Sequence, residues 1–238
     1  MITAPRASGA GARGHDVKPA ILARERRYHG GMLFARILLL CALATALLPA
    51  QSVDLLPDES LKGWTRIPIP ATDGLKPKLQ WRVDAAQKTL ICTGDGGHEW
   101  LRYDQVLGDY ILEVDFRFTP KGADVKYNSG IGIRLSAWGE LWVQAQTGPS
   151  GGYLFGVNFV EGALQRFNLM KEMKENRIKA AGEWNHYEIR VQGDKVTLSV
   201  NGVAVNEIAG IALRKGYIGL EAEGHEIAFR NIRLTVLP

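Results

Sequence analysis

Cysteine is scarce: the 238 residues contain two. Cys41 lies inside an apolar N-terminal run, so residues 51–238 carry Cys92 alone. That excludes an internal disulfide and leaves apolar burial to hold the fold. No metal-ligand or nucleophile spacing surrounds Cys92, which reads as a small buried hydrophobe. Excess positive charge is lacking where it would matter. The formal net charge is +4, yet residues 1–50 hold seven basic and two acidic residues, leaving 22 basic against 23 acidic from totals of 29 and 25. The basic pI of about 9.1 therefore gives no reason to expect nucleic acid as a partner. No internal repeat of fixed period is found. Helical periodicity is nearly missing too, with Ala163 to Lys174 the one helix candidate, polar enough to be a surface insertion or a loop.

Arg36 precedes the apolar run Ile37 to Leu48, and Pro49-Ala50 offers a small residue for cleavage. The run is shorter than the roughly 20 residues of a membrane span, which favours a signal peptide over 32–50 and argues against stable membrane insertion after its cleavage. Residues 1–31, rich in Gly, Arg and Ala, read as a disordered extension that could lie upstream of the true start at Met32. The expected product is one exported domain over 51–238, periplasmic or extracellular.

That domain is dominated by strand signals. Tyr110 to Phe118 sets Leu112, Val114, Phe116 and Phe118 on one face and Ile111, Glu113, Asp115 and Arg117 on the other, as a period of two requires. Ser129 to Leu135 and Leu141 to Gln146 alternate likewise. The first sets Ile131, Ile133 and Leu135 opposite Gly132 and Arg134, and the second sets Val143 opposite Trp142, Gln144 and Gln146. Trp184 to Val191, Lys195 to Val200 and Val203 to Ile208 follow, the last two joined by Asn201-Gly202, a type I′ hairpin turn. Tyr217 to Ala222 and Glu226 to Val236 flank a tight turn at Glu223-Gly224-His225. About a dozen short strands with turn signals every eight to twelve residues predict an all-β sandwich of two antiparallel sheets. Gly94 to Gly97 is a loop without the following helix that a phosphate cradle needs, and Gly148 to Gly152 reads as a mobile loop.

Several motifs together resemble one family. Leu61-Lys62-Gly63-Trp64, Asn128-Ser129-Gly130-Ile131 with Arg134, Gly182-Glu183-Trp184-Asn185, Asn201-Gly202, and Gly216-Tyr217-Ile218-Gly219-Leu220 through Phe229-Arg230-Asn231-Ile232 resemble the 3-keto-disaccharide hydrolase domain family. The resemblance runs from about Val53 to Pro238. It implies a concanavalin-like jelly-roll sandwich and a 3-keto sugar substrate. The chain departs from the family pattern at Trp142, where many members have Glu two residues before the Gln, and at Glu221 and Glu223, where many have Gln and His.

The substrate class implied by that resemblance sets chemical requirements. A 3-keto group acidifies the C2 proton, so a base can form an enolate, the C1 substituent can leave, and water can add back. Glu221 and Glu223 share one face of a strand, where two carboxylates can drive their pKa values apart, and are read as the acid/base pair or as two solvated carboxylates. Arg134 is read as the electrophilic helper that steadies the enolate, or as the partner of Asp115 or Glu113 in a salt bridge. Gln144 and Gln146 are candidate readers of sugar hydroxyls, Trp142 a stacking platform, and Asp115 and His98 further binding residues. His225 is a proton carrier or a solvated hairpin residue. Trp64, Trp81 and Trp184 are assigned to the core, and Arg230 and Asn231 to a structural role. Asp115, Glu221, Glu223 or His98 could ligate a divalent metal, although no spacing demands one. Glu113-Val114-Asp115 lacks the third acid of a retaining glucanase motif, since Phe116, Arg117 and Phe118 follow. A hydrolase acting on 3-keto-glycosides is the leading reading. The others are a non-catalytic carbohydrate-binding domain of the same fold and an interaction module of the cell envelope.

Overall fold

The computed structural model describes residues 51–122 and 124–238. The readings of 1–31 as an extension and 32–50 as a signal peptide lie outside the described residues. In chain order the strands are β1 (Ser52–Asp54), β2 (Trp64–Pro68), β3 (Trp81–Asp84), β4 (Thr89–Cys92), β5 (Glu99–Tyr103), β6 (Tyr110–Phe118), β7 (Gly130–Leu135) and β8 (Trp142–Gln146). They continue as β9 (Leu154–Val160), β10 (Ala163–Asn168), β11 (Asn185–Gln192), β12 (Lys195–Val200), β13 (Val203–Ile208), β14 (Tyr217–Ala222) and β15 (Ile227–Val236). All pairings between them are antiparallel. Among the described residues no helix is long and apolar enough to cross a membrane.

One sheet runs β13-β12-β11-β6-β15-β4-β3, with β1 added beside β15, and the other runs β10-β9-β8-β7-β14-β5-β2. This is the expected two-sheet, all-β sandwich. The alternation along β6 is complete, with every second residue from Tyr110 to Phe118 buried. Its inward side chains pack with Tyr187 and Ile189 of β11 and, from the other sheet, with Ile131, Leu220 and Leu101. Trp64, Trp81 and Cys92 join this core as expected. Burial pushes the Cys92 thiol up to about 12, which leaves it inert at neutral pH. Trp184 is only half buried, with the guanidinium groups of Arg230 and Arg117 3.9 and 4.6 Å from its ring centre.

Two expectations are corrected. Residues 163–168 form the edge strand β10, not a helix or a loop, pairing from Ala163↔Val160 to Asn168↔Phe155. Arg134 does not sit on the outer face. Tyr217 pairs with Leu135 and Gly219 with Gly132, so Ile133 and Arg134 of β7 together oppose Ile218 of β14. That bulge, with Arg134 at φ +48°, ends the simple alternation. The Arg134 side chain is buried instead, and Leu135 emerges beside Ile67 and Trp100 in a small apolar cluster separate from the main core.

The Asn201-Gly202 turn has both residues at positive φ, 49° and 85°, as type I′ requires. The Gly148 to Gly152 segment is a hydrogen-bonded turn in which the Gly151 amide donates to Gly148 O at 2.8 Å.

Candidate active site

The outer face of the β10-to-β2 sheet carries the site. Across neighbouring strands Trp100 pairs with Glu221, Gly132 with Gln144, and Gln144 with Phe155. Residues directly opposite one another share a face, so these side chains gather into one row. Glycines make room for them: a Cβ on Gly130 would lie 2.0 Å from Gln144 Nε2, so only the missing side chain lets Gln144 lie flat across β7. The result is a cleft of about 260 Å³ whose walls include Trp100, Trp142 and Phe155, with Glu221, Glu223, His98, Gln144, Gln146, Asn128 and Arg166 as its polar groups. Trp142 and Phe155 meet edge to face with ring centres 5.1 Å apart.

Glu221 is the best-anchored of these groups. Its residue is 4% exposed. Oε2 accepts a hydrogen bond from Gln144 Nε2 at 2.7 Å, and Oε1 lies 2.8 Å from His98 Nε2. Its backbone carbonyl accepts from the buried Ser129 hydroxyl at 2.8 Å. Burial raises the pKa of its carboxyl, against the opposing pull of the His98 hydrogen bond. His98 stands one residue before β5 and Glu223 one residue after β14. The pairing of Ala222 with Glu99 brings the two to the same end of adjacent strands. Glu223 Oε2 is 4.0 Å from His98 Nε2. Partial burial works against the charged imidazole, but the hydrogen bond and charge of Glu221, aided by Glu223, hold the His98 pKa above the usual histidine value. Gln144 Nε2 also donates to Gln146 Oε1 at 3.2 Å, and Gln146 Nε2 donates to Asn128 Oδ1 in a short contact. The chain from Asn128 through the two glutamines to Glu221 fixes the floor.

The structure thus brings together Glu221, Glu223, His98, Trp142, Gln144 and Gln146. It does not bring Arg134 or Asp115 to them. Arg134 is 1% exposed and its guanidinium is committed: Nη1 donates to Gly193 O and Leu213 O at 2.8 and 2.6 Å, and Nη2 to Gly108 O and Asp109 Oδ1 at 3.0 and 2.8 Å. Asp115 belongs to β6 in the other sheet, where it accepts from His186, Arg230 and Asn231. Arg230 and Asn231 are structural, as expected. His225 is half buried against Tyr127 and Phe118, and its Nδ1 accepts from the Asn128 amide at 3.3 Å, so it braces the turn. Sequence reasoning missed Asn128, Trp100, Phe155 and Arg166 as site residues. For Arg166 the signal existed only in the unrecognised strand β10, whose pairing with Val157, itself opposite Trp142, carries Arg166 to the cleft.

His98 and one carboxylate oxygen from each of Glu221 and Glu223 lie within 4.8 Å of one another. This nitrogen and oxygen set suits a divalent cation of intermediate hardness. A cation held there would supply Lewis-acid stabilisation of an enolate oxygen.

A family model described as the 3-keto-alpha-glucoside-1,2-lyase-like domain matches residues 51–235. The chain belongs to that family. A comparison with curated proteins gives no significant match. Among solved structures, the carbohydrate-binding module CBM66 from Bacillus subtilis is similar with a TM-score of 0.54 at 14% identity, covering 73% of this chain and 95% of that one. A candidate glycosyl hydrolase from Parabacteroides distasonis ATCC 8503 is similar with a TM-score of 0.56 at 12% identity, covering 79% and 94%. At these identities the likeness is one of fold. Family membership makes the domain carbohydrate-active, as hydrolase or as binding domain, and the geometry of the cleft bears on which.

Proposed function

We propose that this domain cleaves 3-keto-glycosides by elimination and hydration, with Glu223 as base, His98 as acid and Glu221 as the group that holds and charges His98. The observation that carries this reading is the placement of a free carboxylate and a carboxylate-backed imidazole side by side at one end of an aromatic-walled cleft. Glu223 takes the proton from C2, and the C–H electrons form the C2=C3 bond of an enolate with negative charge on the ketone oxygen. The enolate collapses to a C1=C2 enone, expelling the C1 oxygen, which receives a proton from His98 Nδ1, the ring nitrogen that the Glu221 contact through Nε2 leaves free. Water then adds at C1, giving its proton to His98, while Glu223 returns its proton to C2. The net change is hydrolysis, and both groups end as they began. Asn128 is the donor available to the enolate oxygen, a role that Arg134 is too buried to fill, and the exposed Arg166 is a donor to the sugar hydroxyls at the cleft rim. Trp142 and Phe155 offer apolar surface to the sugar ring. We further propose, from the 32–50 segment, that the enzyme works outside the cytoplasm.

The test is sugar release from 3-keto-trehalose, 3-keto-lactose and a 3-keto aryl glucoside, with and without chelator. Release by the wild type and its loss in Glu223→Gln, with binding retained, is the expected result. Loss on chelation alone would assign the three-ligand cluster a resident cation and overturn the roles of His98 as acid and Glu223 as base. The aromatic cleft also favours a second reading, a non-catalytic carbohydrate-binding domain. Binding of unoxidised glycans with no release from any 3-keto compound would establish that reading in place of the first.

A further inference from the structure

A sheet edge is a row of backbone donors and acceptors with which another strand can pair, so natural sheets obstruct their edges. Among the described residues every edge but one is obstructed. β1 and β3 have only three and four residues. β2 carries Pro68, which cannot donate, and its Arg66 guanidinium holds the 76–78 segment through Lys76 O and Lys78 O at 3.0 Å each. β13 is covered by the segment that follows β10: the Lys174 amide donates to Val205 O at 2.9 Å, and Asn206 Nδ2 donates to Leu169 O at 3.1 Å. β10 has none of these devices. It pairs with β9 over six residues without a bulge, and among the described residues its backbone has no other partner.

Apolar exposure is concentrated at the same edge. Of the ten large hydrophobic side chains exposed among the described residues, Phe159, Val160, Leu164 and Met170 fall within 159–170. Phe159 and Leu164 are opposed across the hairpin, on the face that carries the cleft. A second copy suits this edge by charge: residues 51–238 hold 22 basic and 23 acidic groups, so copies hardly repel one another. The strand also complements itself. Opposed residues of an antiparallel pair share a face, so a two-fold axis perpendicular to the sheet must pass through a residue. Through Gln165 it opposes five residues of each strand, setting Leu164 against the aliphatic stem of the partner's Arg166 and Ala163 against the partner's Phe167. Through Arg166 it would bring two guanidinium groups face to face, and through Leu164 it would leave three opposed residues.

We infer that β10 pairs with β10 of a second copy, antiparallel and centred on Gln165, joining the two cleft-bearing sheets into one. The partner's Leu164 then abuts Arg166, so each copy completes the rim of the other's cleft. This pairing does not depend on the reaction proposed above. A single strand edge buries little area, so the expected Kd is micromolar, and sedimentation equilibrium from about 1 to 100 μM should show monomer giving way to a species of twice the mass. Leu164→Lys, at a position 58% exposed, should keep the thermal midpoint and put a second cation against each Arg166, weakening the dimer at least about tenfold. With Cys41→Ser the chain keeps only the buried Cys92. In that background Gln165→Cys should cross-link to its counterpart on oxidation, whereas Ala163→Cys, about 13 Å from its own, should not. A wild type that is monomeric at every concentration, a dimer indifferent to Leu164→Lys, or equal cross-linking at both positions would overturn the pairing. So would a monomer that instead adsorbs to phosphatidylcholine vesicles and loses this with Leu164→Lys, which would give the edge to a lipid surface.

Discussion

The domain contains two histidine–carboxylate clusters, one on each sheet, and at the first coordination distance they are nearly the same. His98 has Glu221 at 2.8 Å and Glu223 at 4.0 Å, and His186 has Asp115 at 2.8 Å and Glu113 at 4.0 Å. Both imidazoles are 38% exposed. Their surroundings separate them. Asp115 also accepts from Arg230 Nε at 3.2 Å and Asn231 Nδ2 at 2.8 Å. Burial would raise its pKa, but the bonds from His186, Asn231 and Arg230 outweigh that and hold it below the usual carboxylate range. The cluster fastens a bulge, since Arg230 pairs with Asp115 and Arg233 with Glu113, leaving two residues of β15 opposite one of β6. Glu221 has no cation but a histidine, is buried, and faces an open cleft, so its pKa is raised. On the proposed reading the first pair serves the reaction because it lines a cleft, and the second serves the fold because Arg230 and Asn231 tie it to a bulge.

The first way to break the comparison is to remove each carboxylate's charge. Glu221→Gln should lower turnover by about 10²- to 10⁴-fold, the usual range for acid–base groups. Its stability should hold or rise: a raised folded pKa means that ionising Glu221 opposes folding at neutral pH, and the substitution removes that charge. Arg134→Met should act in the opposite sense. It should cost about 3–5 kcal/mol in denaturant unfolding, as breaking a buried pair does, and leave kcat and KM of whatever folds unchanged. A selective fall in kcat would return Arg134 to the chemistry.

Asp115→Asn should be milder, costing about 1–3 kcal/mol without affecting turnover. Its pH dependence is signed. The folded pKa of Asp115 is lowered, so its contribution is present above the unfolded value of 3.8 and is lost as pH falls through the folded value. His186 is raised, mainly by its bond to Asp115, so its contribution is full below 6.5 and is lost as pH rises through the folded value. The stability gap between wild type and Asp115→Asn should therefore be widest between about pH 4 and 6.5 and narrow on both sides. A gap that stays constant from pH 3 to 9 would show that neither charge contributes through this contact.

Much of this comparison was visible in the sequence, and the parts that were not share a physical cause. Alternation placed Trp142, Gln144 and Gln146 together, because a period of two is local to one strand. It also put Asp115 correctly on an outer face, but alternation separates inside from outside and cannot say which sheet a strand joins. Arg134 was misplaced because a bulge depends on the partner strand, here β14, and leaves no mark in the sequence of β7 alone. Strand β10 was missed because it is exposed almost throughout and so has no buried face to impose a pattern. The proximity of His98 and Glu223 follows from a register between residues more than a hundred positions apart, which no local signal carries.

The smallest expected effect sharpens the comparison at two arginines, one on each sheet. Arg166 borders the cleft from the edge strand and has no hydrogen-bond partner among the described residues, whereas Arg230 is tied to Asp115 and stacked on Trp184. An exposed, flexible cation contributes on the order of 0.5–1 kcal/mol to a contact, so Arg166→Gln should raise KM for a 3-keto-glycoside by about two- to fivefold with the unfolding midpoint unchanged. Arg230→Gln should do the reverse, lowering the midpoint and leaving KM alone. The assay is steady-state kinetics beside thermal unfolding on the same two preparations. If Arg230→Gln shifted KM while Arg166→Gln did not, the sugar would have to lie on the other sheet, and the division of labour between the two clusters would be inverted.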